Sequence, residues 1–214
     1  MFSSSVSDMT SCMRAVPGVD SVGASKRRYG IMLSSLRIRS AIVLAIYQAF
    51  FEIIMQRRGP QDLPASRMLL AISVALYALV GSVLLSFYIA QPSQLVAELA
   101  LNIAVVAGFY ALVLKIRGFS ARLVQTLTAL YGCDAILSGF MLPFHGWHTM
   151  LDPDSPVGVL PLVGISLLLF WTFAVAGHIL RHALEIPLPA GVLVAMAQFA
   201  VGVGVTANIL GAQS

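Results

Sequence analysis

Charge is the scarcest property of this 214-residue sequence. Asp, Glu, Lys and Arg together make up only 10% of it, whereas 58% of its residues are hydrophobic. Soluble domains average about 25% charged and about 45–50% apolar residues. The composition therefore excludes an ordinary soluble domain and indicates an integral membrane protein.

Cysteines and catalytic motifs are also scarce. Cys12 lies in a polar stretch and Cys133 in an apolar one, so the pair implies no disulfide framework. The sequence has no glycine-rich phosphate loop, Gly-x-Ser-x-Gly elbow, HExxH motif or paired CxxC motif. It therefore favours a non-enzymatic protein with no cofactor, since an enzyme would have to be built from intramembrane groups.

The few cations are unevenly distributed. Residues 68–214 contain Lys115, Arg117, Arg122 and Arg181, and the other Lys and Arg residues lie between Arg14 and Arg67. Basic residues clustered beside apolar spans are typical of orientation in a membrane. This pattern favours the lipid bilayer and its anionic headgroups as partners, and no nucleic acid.

Apolar stretches long enough to cross a bilayer occur five times within residues 66–211. A crossing takes about 20 helical residues, and turn signals separate the stretches. The predicted spans cover residues 68–90, 95–114, 123–144, 159–180 and 188–210. Short connections force neighbouring helices to pair, so the predicted fold class is an all-α membrane protein, an antiparallel bundle of five transmembrane helices.

The loops predict the orientation of this bundle. If the first span runs outward, all 13 Lys and Arg residues fall on one side of the membrane. The positive-inside rule makes that side cytoplasmic. We therefore predict a multi-pass protein of the inner (plasma) membrane, with its N-terminus in the cytoplasm and its C-terminus outside.

The chain before the first span is more polar. Residues 1–32 are Ser-rich and predict a disordered tail, although a transit-like presequence or a working start near Met32 are alternatives. Residues 33–58 predict an amphipathic helix on the cytoplasmic interface, because Gln48 and Glu52 interrupt their apolar core and arginines flank both ends. A sixth span over residues 33–56 is the alternative.

Asp134 lies near the centre of the third predicted span. An acid at that depth costs about 2.5–3.5 kcal/mol on insertion scales, so it should face the bundle interior. Tyr131 and Ser138 share its helical face and offer hydroxyl partners. Asp134 is interpreted either as a hydrogen-bonded acid that fixes helix packing, which we favour, or as a titrating carboxylate.

Small residues form stripes on two of the predicted spans, and such stripes let helices approach closely. The third span presents Ala121, Gln125, Thr128, Gly132, Ala135 and Gly139, and the fifth presents Gly191, Ala195, Gln198, Gly202 and Thr206. We predict that these two helices form a tight contact, within this chain or with a partner subunit.

Four histidines are weaker candidates for metal ligands. His145 and His148 lie in a predicted outer loop with Asp152 and Asp154, and His178 and His182 share a helical face with Arg181 and Glu185. Neither group matches a known zinc motif, and cations at a helix C-terminus complement the helix dipole. The sequence therefore predicts no metal site.

The order of these parts resembles the Yip1-like membrane protein family. The resemblance covers roughly residues 61–210 and rests on this layout and on the local texture of PQDLPASR, QTLTALYGCDAIL and AGHILRHALE. It implies a non-enzymatic, helix-packing protein that acts through partners. We therefore expect an accessory or assembly component of a larger membrane complex, bound to other membrane-protein subunits. The alternatives are a carrier or channel component in which Asp134 titrates, and a haem- or metal-binding membrane subunit.

Overall fold

A computed structural model describes residues 44–152 and 156–210 of the chain. The predicted tail, residues 1–32, lies outside the described residues, as do the start of the predicted amphipathic helix, residues 33–43, and Asp154. The chain divides into two compact units, Met1–Tyr47 and Gln48–Ser214. The packing below is that of the second unit.

The described part of the chain is helical throughout. A short helix, α1 (Leu44–Ile54), precedes five helices that are long and apolar enough to cross a membrane. These are α2 (Arg67–Ser86), α3 (Pro92–Ile116), α4 (Leu123–Met150), α5 (Val159–Leu184) and α6 (Leu188–Leu210). The prediction of an all-α membrane bundle with five spans is confirmed.

Local sequence signals explain most of the helix ends. Ser66 caps α2, because its hydroxyl accepts a hydrogen bond of 3.4 Å from the backbone N–H of Leu69. Pro92 begins α3, and its missing N–H costs no hydrogen bond there because the first N–H groups of a helix have no acceptor within the helix. The chain leaves α3 at Gly118, whose φ of 79° is in the left-handed region that favours glycine.

α4 is longer than the sequence predicts. The prediction ended this span at Phe144 and placed a polar loop from His145 onward, which is wrong because the helix continues through Pro143 to Met150. Pro143 removes one backbone hydrogen bond, and its ring crowds the carbonyl of Gly139 four residues earlier. Membrane helices tolerate such a proline because neighbouring groups and small local adjustments satisfy the freed backbone.

α4 is the central helix of the bundle. Of its most apolar 18-residue window, 56% is buried, against 11–17% for the other four spans. It packs most extensively against α2 and α5, whereas α6 packs against α5 and α3. The outer helices expose large apolar side chains, such as Leu79, Phe170 and Leu193, as expected of surfaces that face lipid.

The third and fifth spans do not form the predicted tight contact within this chain, and a contact with a partner subunit stays a prediction. α6 makes its closest approach to α5, where Gly191 lies against the backbone carbonyl of Gly177. Ala195 is buried, but Gly202 has only Gln198 of its own helix nearby, and Gly139 has no atom within 4 Å of where a Cβ would lie. Within this chain, small residues do permit a close helix contact, but it joins α5 to α6 and not α4 to α6.

A small residue of α4 contacts the part of the chain that precedes the first span. We call residues 48–66 the entry segment. The ring of Phe50 lies against Gly132, and Phe50, Ile53 and Ile54 are buried. Gly132 is about 14 Å along α4 from Leu123, roughly half of a bilayer core of about 30 Å. The ring of Phe50 therefore packs against the middle of α4.

Two hydrogen bonds hold the end of the entry segment. Gln125 donates its side-chain amide to the carbonyl oxygen of Leu63 at 3.0 Å, and Nε2 of His178 lies 3.0 Å from the carbonyl oxygen of Arg58. They tie the segment to the first turn of α4 and to α5. This end of the bundle, which also holds Arg67, Lys115, Arg122 and Arg181, is the basic end.

Candidate functional site

A cavity of about 380 Å³ lies inside the bundle, beside the middle of α4. All five spanning helices contribute to its wall, and most of the lining side chains are apolar. The polar side chains that line it are Tyr77 of α2, Asn102 and Tyr110 of α3, Tyr131, Asp134, Ser138 and His145 of α4, Thr172 of α5 and Gln198 of α6. Mostly apolar pockets with a few convergent polar groups are typical of small-molecule sites.

Asp134 is the only acidic side chain among the described residues of this lining. It lies about 16 Å along α4 from Leu123, so its carboxylate is near the middle of the span. No described residue forms a hydrogen bond or an ion pair with it, although the residue is half-buried. The prediction that this acid faces the bundle interior agrees with its place in the cavity wall.

The predicted hydroxyl partners of Asp134 are near it but are not bonded to it. The hydroxyl of Tyr131 donates instead to the backbone carbonyl of Ile103 on α3, at 2.8 Å. Ser138 lines the same cavity without a hydrogen bond to Asp134 among the described residues. Among the described residues, Asp134 therefore lacks the hydrogen bonds that our preferred interpretation, an acid that fixes helix packing, requires.

Tyrosine rings form one side of the cavity. The hydroxyl of Tyr77 donates to Oδ1 of Asn102 at 2.8 Å, which joins α2 to α3. The rings of Tyr77 and Tyr131 are inclined at 57°, with centroids 5.3 Å apart. Because both hydroxyl protons are engaged by protein acceptors, these tyrosines present ring surface and oxygen lone pairs to the cavity.

Packed side chains separate the cavity from the basic end. Cys133 lines the cavity and is 1% exposed, and its thiol lies 3.8 Å from the carbonyl oxygen of Phe50. Val175 and Ile179 of α5 line the cavity and are buried as well. The entry segment thus contacts the wall of the cavity on the side away from His145.

Of the two histidines predicted in the outer loop, only one reaches the cavity. His145 lies in α4, lines the cavity near its outer end, and contacts the hydroxyl of Tyr88 through Nδ1. His148 lies one turn further on, and its Nδ1 is buried without a partner among the described residues. Within residues 44–152 and 156–210, no three His, Cys, Asp or Glu side chains are grouped as metal ligands.

The second pair of histidines lies at the basic end. The rings of His178 and His182 are edge to face, with centroids 4.7 Å apart, and His178 is bonded to the entry segment as described above. Glu185 follows α5 in a left-handed conformation, with φ of 56°, and pairs with Arg122 at 2.7 Å. Arg122 also donates to the carbonyls of His182 and Ala183, so it caps the end of α5.

Sequence reasoning missed four of the polar residues in the cavity wall: Tyr77, Asn102, Tyr110 and Thr172. Each lies within a predicted span, where a polar side chain is a signal for the interior of a bundle. The sequence did not indicate which of the five helices would bring these side chains to the level of Asp134.

Comparison of the chain with protein-family models, with curated proteins and with solved structures finds no match to any of them.

Proposed function

We propose that this protein is a component of a membrane carrier or channel that binds a cation, a proton included, at Asp134. The observation that supports this proposal is a carboxylate that has no hydrogen-bond or ion-pair partner among the described residues, in a cavity lined by five helices. A lone intramembrane acid is costly unless it is neutralised, and a bound cation would offset that cost. Carboxylates inside bundles commonly mark ion pathways in pumps and transporters.

A hydrophobic carbodiimide tests the site without knowledge of the transported solute. Dicyclohexylcarbodiimide enters the bilayer and modifies protonated carboxyl groups there. We expect mass spectrometry to locate the modification at Asp134 in proteoliposomes, and we expect it to decrease when pH or salt concentration is raised. Asp134→Asn should abolish this modification, and Glu98→Gln, the same change in α3 outside the cavity wall, should preserve it.

Flux measurements test the transport part of the proposal. Proteoliposomes with an internal pH indicator should show a proton or sodium flux that Asp134→Asn abolishes and Glu98→Gln retains. An unmodified Asp134, together with equal fluxes for wild type and Asp134→Asn, would contradict the proposal.

The second candidate is an accessory component of a larger membrane complex, to which the Yip1-like resemblance also points. The surface of the bundle offers some support, because no side chain or other helix of the described residues lies within 4 Å of where a Cβ would be at Gly139 and Gly204. Small residues with open space beside them suit a contact with another membrane helix. Gly204→Leu should then remove a subunit that copurifies in mild detergent, whereas an unchanged set of copurifying proteins would contradict this candidate.

In both cases we propose the inner membrane as the location, with the basic end in the cytoplasm. The lipid bilayer and, for the second candidate, other membrane-protein subunits are the partners. The distribution of Lys and Arg supports this orientation.

A further inference from the structure

We infer that the cavity binds a small organic cation, an ammonium group carried on an apolar body. This inference rests on the proposed function, and it names the class of ligand for the same site. Its basis is the juxtaposition of Asp134 with the rings of Tyr77, Tyr110 and Tyr131 in the wall of one cavity.

The charges of the lining favour a cation. Among the described residues that line the cavity, Asp134 contributes the only carboxylate and there is no Lys or Arg side chain. Among the described lining residues, His145 carries the only imidazole, and its Nδ1 contacts the hydroxyl of Tyr88. The amides of Asn102 and Gln198 are neutral. When Asp134 is unprotonated, the cavity therefore carries one negative charge, which a bound cation would balance.

The aromatic rings favour an organic cation. The faces of tyrosine rings attract ammonium groups through the negative side of the ring quadrupole. Tyr77 and Tyr131 form two inclined walls, and Tyr110 lines the same cavity. Phe173 and Phe199, whose centroids are 5.5 Å apart, add aromatic surface from α5 and α6. Aromatic rings and one carboxylate thus line the same cavity, and this combination of groups recognises alkylated ammonium groups.

The size and ligand set of the cavity fit a molecule better than a metal ion. About 380 Å³ lies within the range of small-molecule sites and is far more than a dehydrated metal ion fills. A hard cation such as Mg²⁺ or Ca²⁺ takes at least about six oxygen ligands, whereas this lining holds one carboxylate among mainly apolar side chains. An ammonium group on an apolar body uses both kinds of surface.

Choline and its neutral isostere 3,3-dimethylbutan-1-ol form the test pair, because they differ mainly in the charged nitrogen. We expect isothermal titration calorimetry of the purified protein to show saturable binding of choline and none of the isostere. Choline should also protect Asp134 from carbodiimide modification at a constant ionic strength set with sodium chloride. Asp134→Asn should weaken the binding by about 30-fold or more, as expected when one partner of a buried charge pair is removed.

Variants of the rings separate the contribution of the rings from that of the carboxylate. Tyr131→Leu and Tyr77→Leu should each weaken choline binding by about 2- to 30-fold, and Tyr131→Phe, which keeps a ring, should weaken it less. Trp171→Leu is the matched control, because Trp171 is an exposed aromatic residue of α5 outside the cavity wall. Two different ring positions are used so that one misfolded variant does not decide the result.

The outcomes distinguish the two proposals. Equal binding of choline and the isostere, or choline binding that neither ring variant weakens, would overturn the inference. Carbodiimide modification of Asp134 that sodium or pH suppresses and choline does not would also overturn it, while leaving cation binding at Asp134 intact. An unreactive Asp134 would count against both.

Discussion

At the scale of single residues, Gly132 determines how closely the entry segment approaches α4. A Cβ at this position would lie closer than 3.0 Å to three atoms of the Phe50 ring. The neighbouring Cys133 lines the cavity and contacts the backbone of Phe50. A side chain at position 132 would therefore displace Phe50 and disturb the cavity wall next to Asp134.

We predict that Gly132→Ala destabilises the protein although alanine is the better helix former. Overpacking costs about 1–3 kcal/mol, which outweighs a gain of at most about 1 kcal/mol in helix propensity. Thermal unfolding in detergent should therefore show a lower midpoint for this variant.

Gly139→Ala is the matched control for this prediction, because it makes the same change seven residues along α4. No side chain or other helix of the described residues lies within 4 Å of where its Cβ would be, so this variant should be as stable as the wild type or more stable. Adding Phe50→Leu to Gly132→Ala should recover part of the loss. If both alanine variants unfold at the same temperature, Phe50 does not pack on Gly132.

At the scale of helices, the contact of α5 with α6 depends on two glycines. A Cβ at Gly177 would lie 2.8 Å from the backbone nitrogen of Val192, and one at Gly191 would lie 3.3 Å from that of Arg181 and closer still to the carbonyl oxygen of Gly177. Because these neighbours are backbone atoms, no change of rotamer relieves the clash. Any side chain at either position must move the two helices apart.

We predict that Gly177→Val and Gly191→Val each separate α6 from α5 and lower the stability of the folded protein. The expected loss is at least about 1–3 kcal/mol, the usual cost of overpacking, and it should appear as faster proteolysis in detergent. Gly204→Val, on the open side of α6, is the control and should be cleaved at the wild-type rate. Equal cleavage of all three variants would argue against a contact made by these glycines.

The same helices show how much of this fold and site the sequence predicts. Length and hydropathy identify the five spans, because a bilayer of fixed thickness sets the length of a crossing. The depth of Asp134 follows from its position within one apolar stretch. The partner of each small-residue stripe does not follow, because glycine permits close approach without selecting what approaches. For this reason the sequence predicts that Gly132 contacts the last helix, whereas in the structure it contacts Phe50.

The sequence does not predict the cavity, because the cavity also depends on how different helices are placed relative to one another. Tyr77 and Tyr110 lie in different spans, and their arrival beside Asp134 depends on the rotation and crossing of three helices. Pro143 gave a misleading signal, since a proline usually marks a helix end in water but is tolerated within a membrane helix. The pattern within a single apolar stretch thus predicts the length of a helix and the depth of a residue in the membrane. Which helices contact one another can be read only from the structure.

At the scale of the whole molecule, the orientation of the bundle in the membrane determines on which side the chain before the entry segment lies. The entry segment packs against the middle of α4 through Phe50 and reaches the first turn of α4 at Leu63. The prediction of an interfacial helix over residues 33–58 and the alternative of a sixth span differ in where the N-terminus lies. Arg37 and Arg39 favour the cytoplasm, because a sixth span would place them outside, against the positive-inside rule.

We predict that a reporter inserted at Gly118 appears in the cytoplasm and one fused after Ser214 appears outside. A phosphatase active only outside and a fluorescent protein that folds only inside form a complementary pair of measurements. A third fusion before Met1 tests the entry segment, and we expect it in the cytoplasm. The reverse result at Gly118 and Ser214 would contradict the orientation as a whole. An external Met1 with the other two sites as predicted would instead mean that residues 33–56 cross the membrane, so that the Phe50 contact with Gly132 would be a contact between two spans.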